Sequence, residues 1–492
     1  MRERLSSKGI ATKMLSSVVM FAFIASSFLL TSCNRKDGDY PDIGSPTTLD
    51  ADQTMPTEST VSTTDPTGSG TDTGDFVTIT VALPYSQSTV KRLSELYYLK
   101  SNGMLSDGDN GSNISLDHLD TVSTPWYINS IQTPMNGVDP STLSEWRSGG
   151  YLPDIYLAED IGSVIGSGDA APLQQYLADN ELVGSLSVFD GAIDALSSNG
   201  SIYGIPLYAT AVILGINLDY VPDSGVPGYL YTVDELETYL QDVAAMGVQG
   251  EEETPTSDLI PFAGAYTLIP YIAQAFSGVP TGFMAHDEYV RGNTIAASTA
   301  VRNVLGYIDR LYAEGLSSDS DANGDDPIAA RNAGMWMLSS EEMENYDSYY
   351  PGRMYYLPLP SYDSETPSVP MLTIYPMCLS SESEHGAFAV EFASFIALDP
   401  DAQMLIRRLE PRHGYLPLIR NGVLWLDMAD STDNGRLVSY YEPLMDSAVY
   451  CPGNYGSELY TAVNSYIFSY SANRSDEGET AGFSLQECYG GY

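Results

Sequence analysis

From residue 76 onward, short β-branched runs alternate with segments whose apolar residues recur at helical spacing. Residues 76–83, FVTITVAL, are typical of a buried strand, and Val90, Leu93 and Tyr97 then recur on one face of a helix. Residues 153–158, PDIYLA, predict another strand. Such alternation is typical of α/β folds with mostly parallel strands. We therefore expect α/β sheets flanked by helices.

Three later helices carry signals for their own ends or faces. Thr232 and Glu235 form a capping box, and Asp399 followed by Pro400 is a typical helix start. Residues 299–314 carry the clearest apolar stripe at helical spacing. Each of these segments predicts a helix that packs on a sheet.

The charge balance excludes several classes of partner. The 492 residues include 65 Asp and Glu against 21 Lys and Arg, a formal net charge of −44. Such a field repels phosphate backbones and anionic lipid head groups, which argues against a nucleic-acid binder or a polybasic membrane binder. The apolar fraction of 43% is that of a folded protein. Four cysteines are too few for a disulfide scaffold.

The first 33 residues have the pattern of an export signal. Basic residues precede an uncharged apolar run at 14–30, and the run ends in Leu30-Thr31-Ser32-Cys33. This end resembles the lipobox of bacterial lipoproteins. The resemblance implies a signal peptide at 1–32 and a diacylglyceryl group on the Cys33 sulfur. An ordinary signal peptide with an incidental cysteine is the alternative.

The segment at 33–75 predicts a disordered tether. Ser, Thr, Asp, Pro and Gly dominate it, and almost nothing in it is apolar. Such a composition cannot supply a core. We therefore expect the globular part to begin near Phe76.

Five landmarks occur in order between residues 150 and 420. They are LPDIYLAED with APLQQYLAD (152–179), SIYGIPLYATAVILGINLDYV (201–221), AARNAGMWML (329–338), YYLPLP with EHGAFAVEFASFIALDPDAQ (355–403) and HGYLPLIRN (413–421). In this order they resemble the type 1 extracellular solute-binding proteins of ABC importers, the sugar-binding branch. The third landmark departs from the family, since Ala330 or Ala329 stands where an aromatic residue is usual.

The resemblance implies a two-lobed, periplasmic-binding-protein-like fold of type II. Two sheets flanked by helices would be joined by a hinge of three chain crossings, near residues 208–213, near 373–378 and just after Leu416. The implied lobes are 76–209 with 377–416 for lobe 1, and 210–376 with 417–492 for lobe 2.

The resemblance also implies a function. The chain would capture a mono- or oligosaccharide by hinge closure and deliver it unchanged to ABC permease subunits. It would act as a monomer without a cofactor, on the extracellular face of the bacterial cell membrane, held only by its lipid anchor. Two alternatives stay open: a polyamine or peptide ligand in the same fold, and a cell-surface glycoside hydrolase built on two of the many carboxylates.

Sugar sites combine aromatic rings with polar side chains, and ligands of α/β sheets bind beyond the carboxyl ends of strands. We select candidates that follow predicted strands, lie at the crossings, or occupy segments where the family carries binding aromatics. For every ring, ordinary core or surface packing is the alternative. The candidates are Tyr85, Trp126, Glu159, Asp160, Tyr208, Tyr266, Trp336 and Tyr375.

An acidic loop begins like a calcium site. Asp319, Asp321, Asn323 and Asp325 offer oxygen ligands at alternate positions. The twelfth position is Ala330, where a bidentate glutamate is needed, so a solvated acidic loop is the preferred interpretation.

The histidines and the remaining cysteines give weaker signals. The four histidines are far apart in sequence and no H-E-x-x-H pattern occurs, which argues against a zinc site. Outside the cell, Cys451 and Cys488 could form a disulfide and leave Cys378 buried and free.

Overall fold

The computed structural model describes residues 76–177, 188–248, 259–269, 271–277, 299–431 and 435–452. The predicted signal peptide, Cys33, the tether, Cys488 and the C-terminal tail after residue 452 lie outside these ranges. Within them, no helix has both the length and the apolar character needed to cross a bilayer.

The described residues form strands from Val77 to Pro452. In chain order they are β1 (Val77–Leu83), β2 (Trp126–Gln132), β3 (Ile155–Leu157), β4 (Ser197–Ser198), β5 (Ser201–Ile202), β6 (Gly204–Asn217), β7 (Ile260–Ala263), β8 (Ser317–Ser318), β9 (Ala333–Ser339), β10 (Met354–Leu357), β11 (Met371–Leu379) and β12 (Val449–Pro452).

The helices lie between these strands. They are α1 (Gln87–Ser101), α2 (Leu116–Leu119), α3 (Pro140–Gly149), α4 (Ile161–Ser167), α5 (Gln174–Leu177), α6 (Asp190–Asp194), α7 (Val233–Val248), α8 (Gln274–Ser277), α9 (Thr299–Ala313), α10 (Met343–Tyr349), α11 (Gly386–Leu398), α12 (Pro400–Leu409), α13 (Gly422–Ser431) and α14 (Gly435–Tyr441). Short 3₁₀ turns occur at Leu218–Tyr220, Ala265–Leu268, Ser340–Glu342 and Glu442–Ser447.

The predicted helix starts use the predicted groups. The Thr232 backbone N–H donates to Glu235 Oε2 at 2.8 Å, and the Glu235 N–H donates to Thr232 Oγ1 at 3.3 Å. The Asp399 carboxylate accepts hydrogen bonds at the start of α12, where Pro400 is the first helical residue. These contacts satisfy N–H groups that the first turn of a helix leaves without partners.

The strands form one ten-stranded mixed sheet and a separate β4–β5 pair. The order is β2-β1-β3-β11-β6-β9-β7-β8, with β10 paired to β6 and β12 to β11. The β2-β1-β3 and β9-β7-β8 ends are parallel, whereas the central pairs of β11 with β3 and β6, and of β6 with β9, are antiparallel. The predicted α/β architecture is confirmed, with the refinement that the long strands β6 and β11 make the sheet continuous.

The core divides into two hydrophobic clusters. The first cluster includes Leu83 and Phe392, and the second includes Phe262 and Ile308. Strand β6 serves both, since Ile213 belongs to the first cluster and the next residue, Leu214, to the second. Successive strand side chains point to opposite faces, so one long strand can support two cores.

The three predicted crossings lie side by side. Ile374 of β11 pairs with Ala209 of β6, and Ala209 exchanges two backbone hydrogen bonds with Leu416, at 2.9 and 2.7 Å. Three separate parts of the chain therefore meet at Ala209. This is the place where a hinge of three connections is expected.

The packing after residue 416 differs from the implied lobe boundaries. Leu418, Trp425 and Met428 pack in the first cluster, whereas Val449 packs against the second. We therefore group α13 with the first cluster, although the resemblance places all of 417–492 in lobe 2.

Candidate functional site

The loops after β1, β2 and β3 meet at one edge of the sheet, since these strands run parallel. The Thr133 N–H donates to Leu83 O at 2.9 Å, which joins the first two loops. Gly137 joins the second and third: its φ is +95°, and a Cβ there would lie 2.7 Å from the Glu159 backbone nitrogen. Only glycine fits this close approach.

Four tyrosines and one glutamate form a group that we call the hinge cluster: Tyr85, Tyr208, Tyr375, Tyr415 and Glu341. The ring centroids of Tyr208 and Tyr375 are 5.3 Å apart, and those of Tyr208 and Tyr415 are 4.8 Å apart in an edge-to-face arrangement. Tyr85 is an electrostatic neighbour of Tyr208 and Tyr415. Tyr85, Tyr208 and Tyr375 are only 3%, 4% and 6% exposed.

Three hydroxyl groups of the cluster donate hydrogen bonds to other protein groups. Tyr208 donates to the Met135 carbonyl in the loop after β2. Tyr375 donates to Glu341 Oε2 at 3.2 Å, and Tyr415 donates to the same oxygen at 3.5 Å. Burial raises the pKa of the Tyr208 and Tyr375 hydroxyls well above the usual value, so both remain protonated donors near neutral pH.

Glu341 is held by the turn that follows β9. Glu342 and Ser339 form a capping box, with the Ser339 N–H donating to Glu342 Oε2 at 2.9 Å. Burial raises the pKa of the Glu341 carboxyl, and the hydrogen bonds from Tyr375 and Tyr415 oppose that rise. The carboxylate is therefore a partly desolvated acceptor, whose attraction for hydroxyl donors is stronger than in water.

Ser340 fixes this turn to two of the crossings. Its hydroxyl oxygen accepts the Ala211 N–H of β6 at 2.9 Å, and its hydroxyl donates to the Gly414 carbonyl. A Cβ at Gly414 would lie 1.9 Å from the Ser340 carbonyl oxygen, so the two backbones are in direct contact. This contact places Tyr415 beside Glu341.

The sequence prediction missed Glu341 and Tyr415. Glu341 lies two residues beyond the end of β9, just as Glu159 lies two residues beyond the end of β3. A carboxylate directly after a strand is therefore the available signal, and the sequence prediction applies it to Glu159 and Asp160 but not to Glu341. Tyr415 stands one residue before the third predicted crossing.

Glu159 and Asp160 have different surroundings. Glu159 is half-buried and accepts a hydrogen bond from Asn136 Nδ2 at 3.3 Å, in the loop that also carries Met135. Burial and then the nearby Asp139 charge raise the pKa of Glu159. The Asp160 carboxylate instead accepts the Ser163 N–H at 3.1 Å and caps α4.

Tyr266 and Trp336 lie outside the hinge cluster. Tyr266 stacks on Tyr312, with ring centroids 4.3 Å apart, among residues that pack against the second hydrophobic cluster. Trp336 of β9 is 1% exposed and packs against Tyr346 and Tyr350, with centroids at 5.2 and 5.6 Å. Trp336 therefore has the surroundings of a core residue in this structure.

Trp126 is the first residue of β2 and so lies at the opposite end of the strand from the loop that follows it. It pairs with Val77 at the start of β1, about 20 Å along β2 from the carboxyl end at Gln132, at roughly 3.3 Å per residue. Its indole N–H donates to Ser94 Oγ at 2.8 Å, and its ring packs against Phe388.

Of the predicted site residues, the structure thus brings together Tyr85, Tyr208 and Tyr375, with Glu159 in an adjoining loop.

Two carboxylates of the acidic loop at 319–325 accept hydrogen bonds from protein groups. Asp321 accepts backbone N–H bonds from Asn323 and Asp325 at 2.9 and 2.8 Å, and these bonds lower its pKa. Asp319 accepts the hydroxyl of Tyr312. In the part of the chain that the structure describes, no group of three metal-ligating residues occurs.

Cys378 is buried and unpaired, as expected. Cys451 lies in β12, and its predicted partner Cys488 lies outside the described residues.

No family model matches the chain, and the curated proteins give no match either. Solved structures do match. The substrate-binding protein Lmo0181 of Listeria monocytogenes, in complex with cycloalternan, is 15% identical with a TM-score of 0.55, covering 85% of this chain and 100% of that one. MalE of Xanthomonas citri is 14% identical with a TM-score of 0.56, covering 84% and 95%.

A third neighbour is the cyclic α-maltosyl-1,6-maltose binding protein of Arthrobacter globiformis. It is 15% identical with a TM-score of 0.56, and the match covers 84% of this chain and 96% of that one. At such identities the likeness establishes the fold. The chain therefore has the two-lobed α/β fold seen in sugar-binding proteins of ABC importers.

Proposed function

We propose that the chain is the carbohydrate-binding protein of an ABC importer and that it binds its ligand without catalysis. The hinge cluster carries this proposal, because its rings and a carboxylate lie where the three predicted crossings meet. The named ligands of the fold neighbours, which include cycloalternan, mannobiose and maltotetraose, add support from the fold.

The chemistry of the cluster suits a hydroxyl-rich ligand. Tyrosine rings present apolar faces to sugar rings, and their hydroxyls donate or accept hydrogen bonds. Glu341 and Glu159 add acceptors whose charge strengthens a hydrogen bond from a sugar hydroxyl. In the described structure Glu341 accepts from two tyrosines of the cluster, and Glu159 accepts from Asn136. We propose that ligand hydroxyls replace some of those partners when the hinge opens and closes.

Export and anchoring complete the proposal. We infer from the Leu30-Thr31-Ser32-Cys33 pattern that Cys33 carries a lipid on the extracellular face of the membrane. Labelling cells with an alkyne-tagged palmitate should mark the protein, and Cys33→Ser should abolish the label. A label that persists in this variant would contradict lipidation at Cys33.

A thermal-shift screen of the purified protein tests ligand class. The arms are maltotetraose, mannobiose and chitin oligosaccharides, with putrescine and short peptides representing the alternative ligands. A ligand present at 100 times its Kd adds about 2.7 kcal/mol of stability. A response to amines or peptides but to no saccharide would overturn the proposal. Sustained release of sugar from the same oligosaccharides would favour the hydrolase.

A further inference from the structure

We infer that the hinge cluster selects neutral saccharides over acidic ones, with Glu341 as the discriminating residue. This inference rests on the proposed function and narrows its ligand class. It follows from the charges that face the cluster and from the number of protons that a ligand could donate there.

The charged groups around the cluster are mostly carboxylates. Glu341 accepts hydrogen bonds from Tyr375 and Tyr415. Burial is the largest cause of the raised pKa of Tyr85, and the charge of Glu410 adds to the rise. Burial is likewise the largest cause of the raised pKa of Tyr415, and the charge of Glu344 adds to that rise. Arg412 is the cation that acts on Tyr85 and Tyr415, and its Nη1 is 3.9 Å from Glu344 Oε2. The Glu410 carboxylate also accepts the Ser86 N–H at 2.7 Å. Of these four charged groups around the tyrosines of the cluster, three are carboxylates.

The hydrogen-bonding groups point to the same selectivity. An ionised carboxylate such as Glu341 only accepts hydrogen bonds, whereas a sugar hydroxyl can donate to it and accept from a tyrosine at once. A carboxylate on the ligand has no proton for Glu341 and brings a second negative charge beside it. Like charges placed together at an interface disfavour binding strongly.

Burial makes this repulsion effective. Glu341 is partly desolvated and its neighbour Tyr375 is almost fully buried, so water screens its charge less than it screens an exposed carboxylate. We therefore expect an acidic sugar to bind at least tenfold more weakly than its neutral counterpart, or about 1.4 kcal/mol.

The test compares sugars that differ in one group. Isothermal titration calorimetry of the full protein at pH 7.5 would measure Kd for maltotetraose and mannobiose, and for each sugar oxidised at C6 to its uronate. We expect the uronates to bind at least tenfold more weakly. We also expect Glu341→Gln to reduce that ratio at least threefold, because the amide keeps the shape and removes the charge.

Glu365→Gln is the matched control. Glu365 is exposed, and its backbone N–H donates to Asp363 Oδ1, which is not a group of the hinge cluster. This variant should leave the ratio unchanged. If Glu341→Gln does not fold, raising the salt from 50 to 500 mM with the wild-type protein provides a second measurement. Uronate binding should then strengthen, while neutral binding should hold constant.

Two outcomes would overturn the inference alone: uronates that bind as tightly as the neutral sugars, or a ratio that neither Glu341→Gln nor salt changes. Failure of the proposed function looks different, because then no saccharide, neutral or acidic, would bind at all. That result would remove both conclusions.

Discussion

Tyr375 lies directly opposite Tyr208 in the β6–β11 ladder, and their ring centroids are 5.3 Å apart. Residues directly opposite each other in an antiparallel pair place their side chains on the same face. Both residues also stand in predicted crossings, and the strand register shifts just after them, between Tyr375 and Pro376. The backbone that would bend during closure therefore carries the rings of the hinge cluster, and changes in these rings should affect both stability and binding.

Tyr208→Phe should show this double effect. The change removes the partly buried hydrogen bond to the Met135 carbonyl and should lower the free energy of unfolding by about 1 kcal/mol. Saccharide affinity should also fall, because the loop with Met135 carries Asn136, the partner of Glu159. Urea unfolding and calorimetry measure the two effects.

Tyr362→Phe is the control for this change. Tyr362 is 55% exposed, and such surface substitutions usually change stability by less than about 0.5 kcal/mol. Equal losses in the two variants would contradict a structural role for the Tyr208 hydroxyl.

Trp336→Phe should separate core packing from ligand contact. The indole is almost fully enclosed by Tyr346, Tyr350 and their neighbours, so the smaller ring should lower stability by about 1–3 kcal/mol. The Kd for a saccharide should hold within twofold. A stable variant that has lost saccharide binding would instead place Trp336 in the binding site, as the sequence hypothesis has it.

The sequence allowed good prediction where local chemistry decides the structure. The capping box at Thr232 and the proline start at Asp399 depend on contacts within a few residues, and both form as predicted. The α/β alternation was likewise visible in the pattern of apolar residues. The segments near Tyr208 and Tyr375, which the family landmarks predict as crossings, form the neighbouring strands β6 and β11.

Other site residues depend on contacts that sequence spacing does not specify. A tryptophan in a strand can face either side of a sheet, and the packing of α10 against β9 encloses Trp336. Asp160 follows a strand, as a ligand residue would, but it also precedes a helix, and the capping role occupies its carboxylate. Glu341 joins the cluster through Tyr375 and Tyr415, which are 34 and 74 residues away in sequence.

Glu342 should make stability depend on pH. Burial raises the pKa of its carboxyl from 4.5 to about 7. Between these values the folded state holds more protons than the unfolded state, so the stability present below pH 4.5 is lost as the pH rises to 7. Its burial therefore destabilises the protein more at pH 8 than at pH 5.

Glu342→Gln removes this ionisation and keeps an acceptor for the Ser339 N–H, since glutamine also serves in a capping box. The free energy of unfolding of the variant should equal that of the wild type at pH 5 and exceed it by about 1–3 kcal/mol at pH 8. The range is smaller than the full pKa shift implies, because the carboxyl is partly exposed. Denaturant unfolding at the two pH values measures the difference. Parallel pH profiles for the two proteins would show that Glu342 is not the group responsible.

Gly414→Ala should disrupt the junction between the third crossing and the β9 turn. The added Cβ would lie 1.9 Å from the Ser340 carbonyl oxygen, so one of the two backbones must move. That movement would separate Tyr415 from Glu341 and break the bond from the Ser340 hydroxyl to the Gly414 carbonyl. We expect a loss of about 3 kcal/mol or more in stability, within the range of severe single substitutions.

Two further variants identify the cause of that loss. Gly166→Ala makes the same change in α4, where a Cβ would meet nothing within 4 Å, and should stabilise the helix by about 0.5–1 kcal/mol. Ser340→Ala leaves the Ala211 N–H and the Gly414 carbonyl without the serine hydroxyl, and should cost about 1–3 kcal/mol. If Gly414→Ala lowers stability no more than Gly166→Ala does, and saccharide affinity is retained, then the contact between Ser340 and Gly414 does not hold the cluster together. If Gly414→Ala and Ser340→Ala both weaken saccharide binding beyond their effect on stability, the junction positions Glu341 and Tyr415 for the ligand.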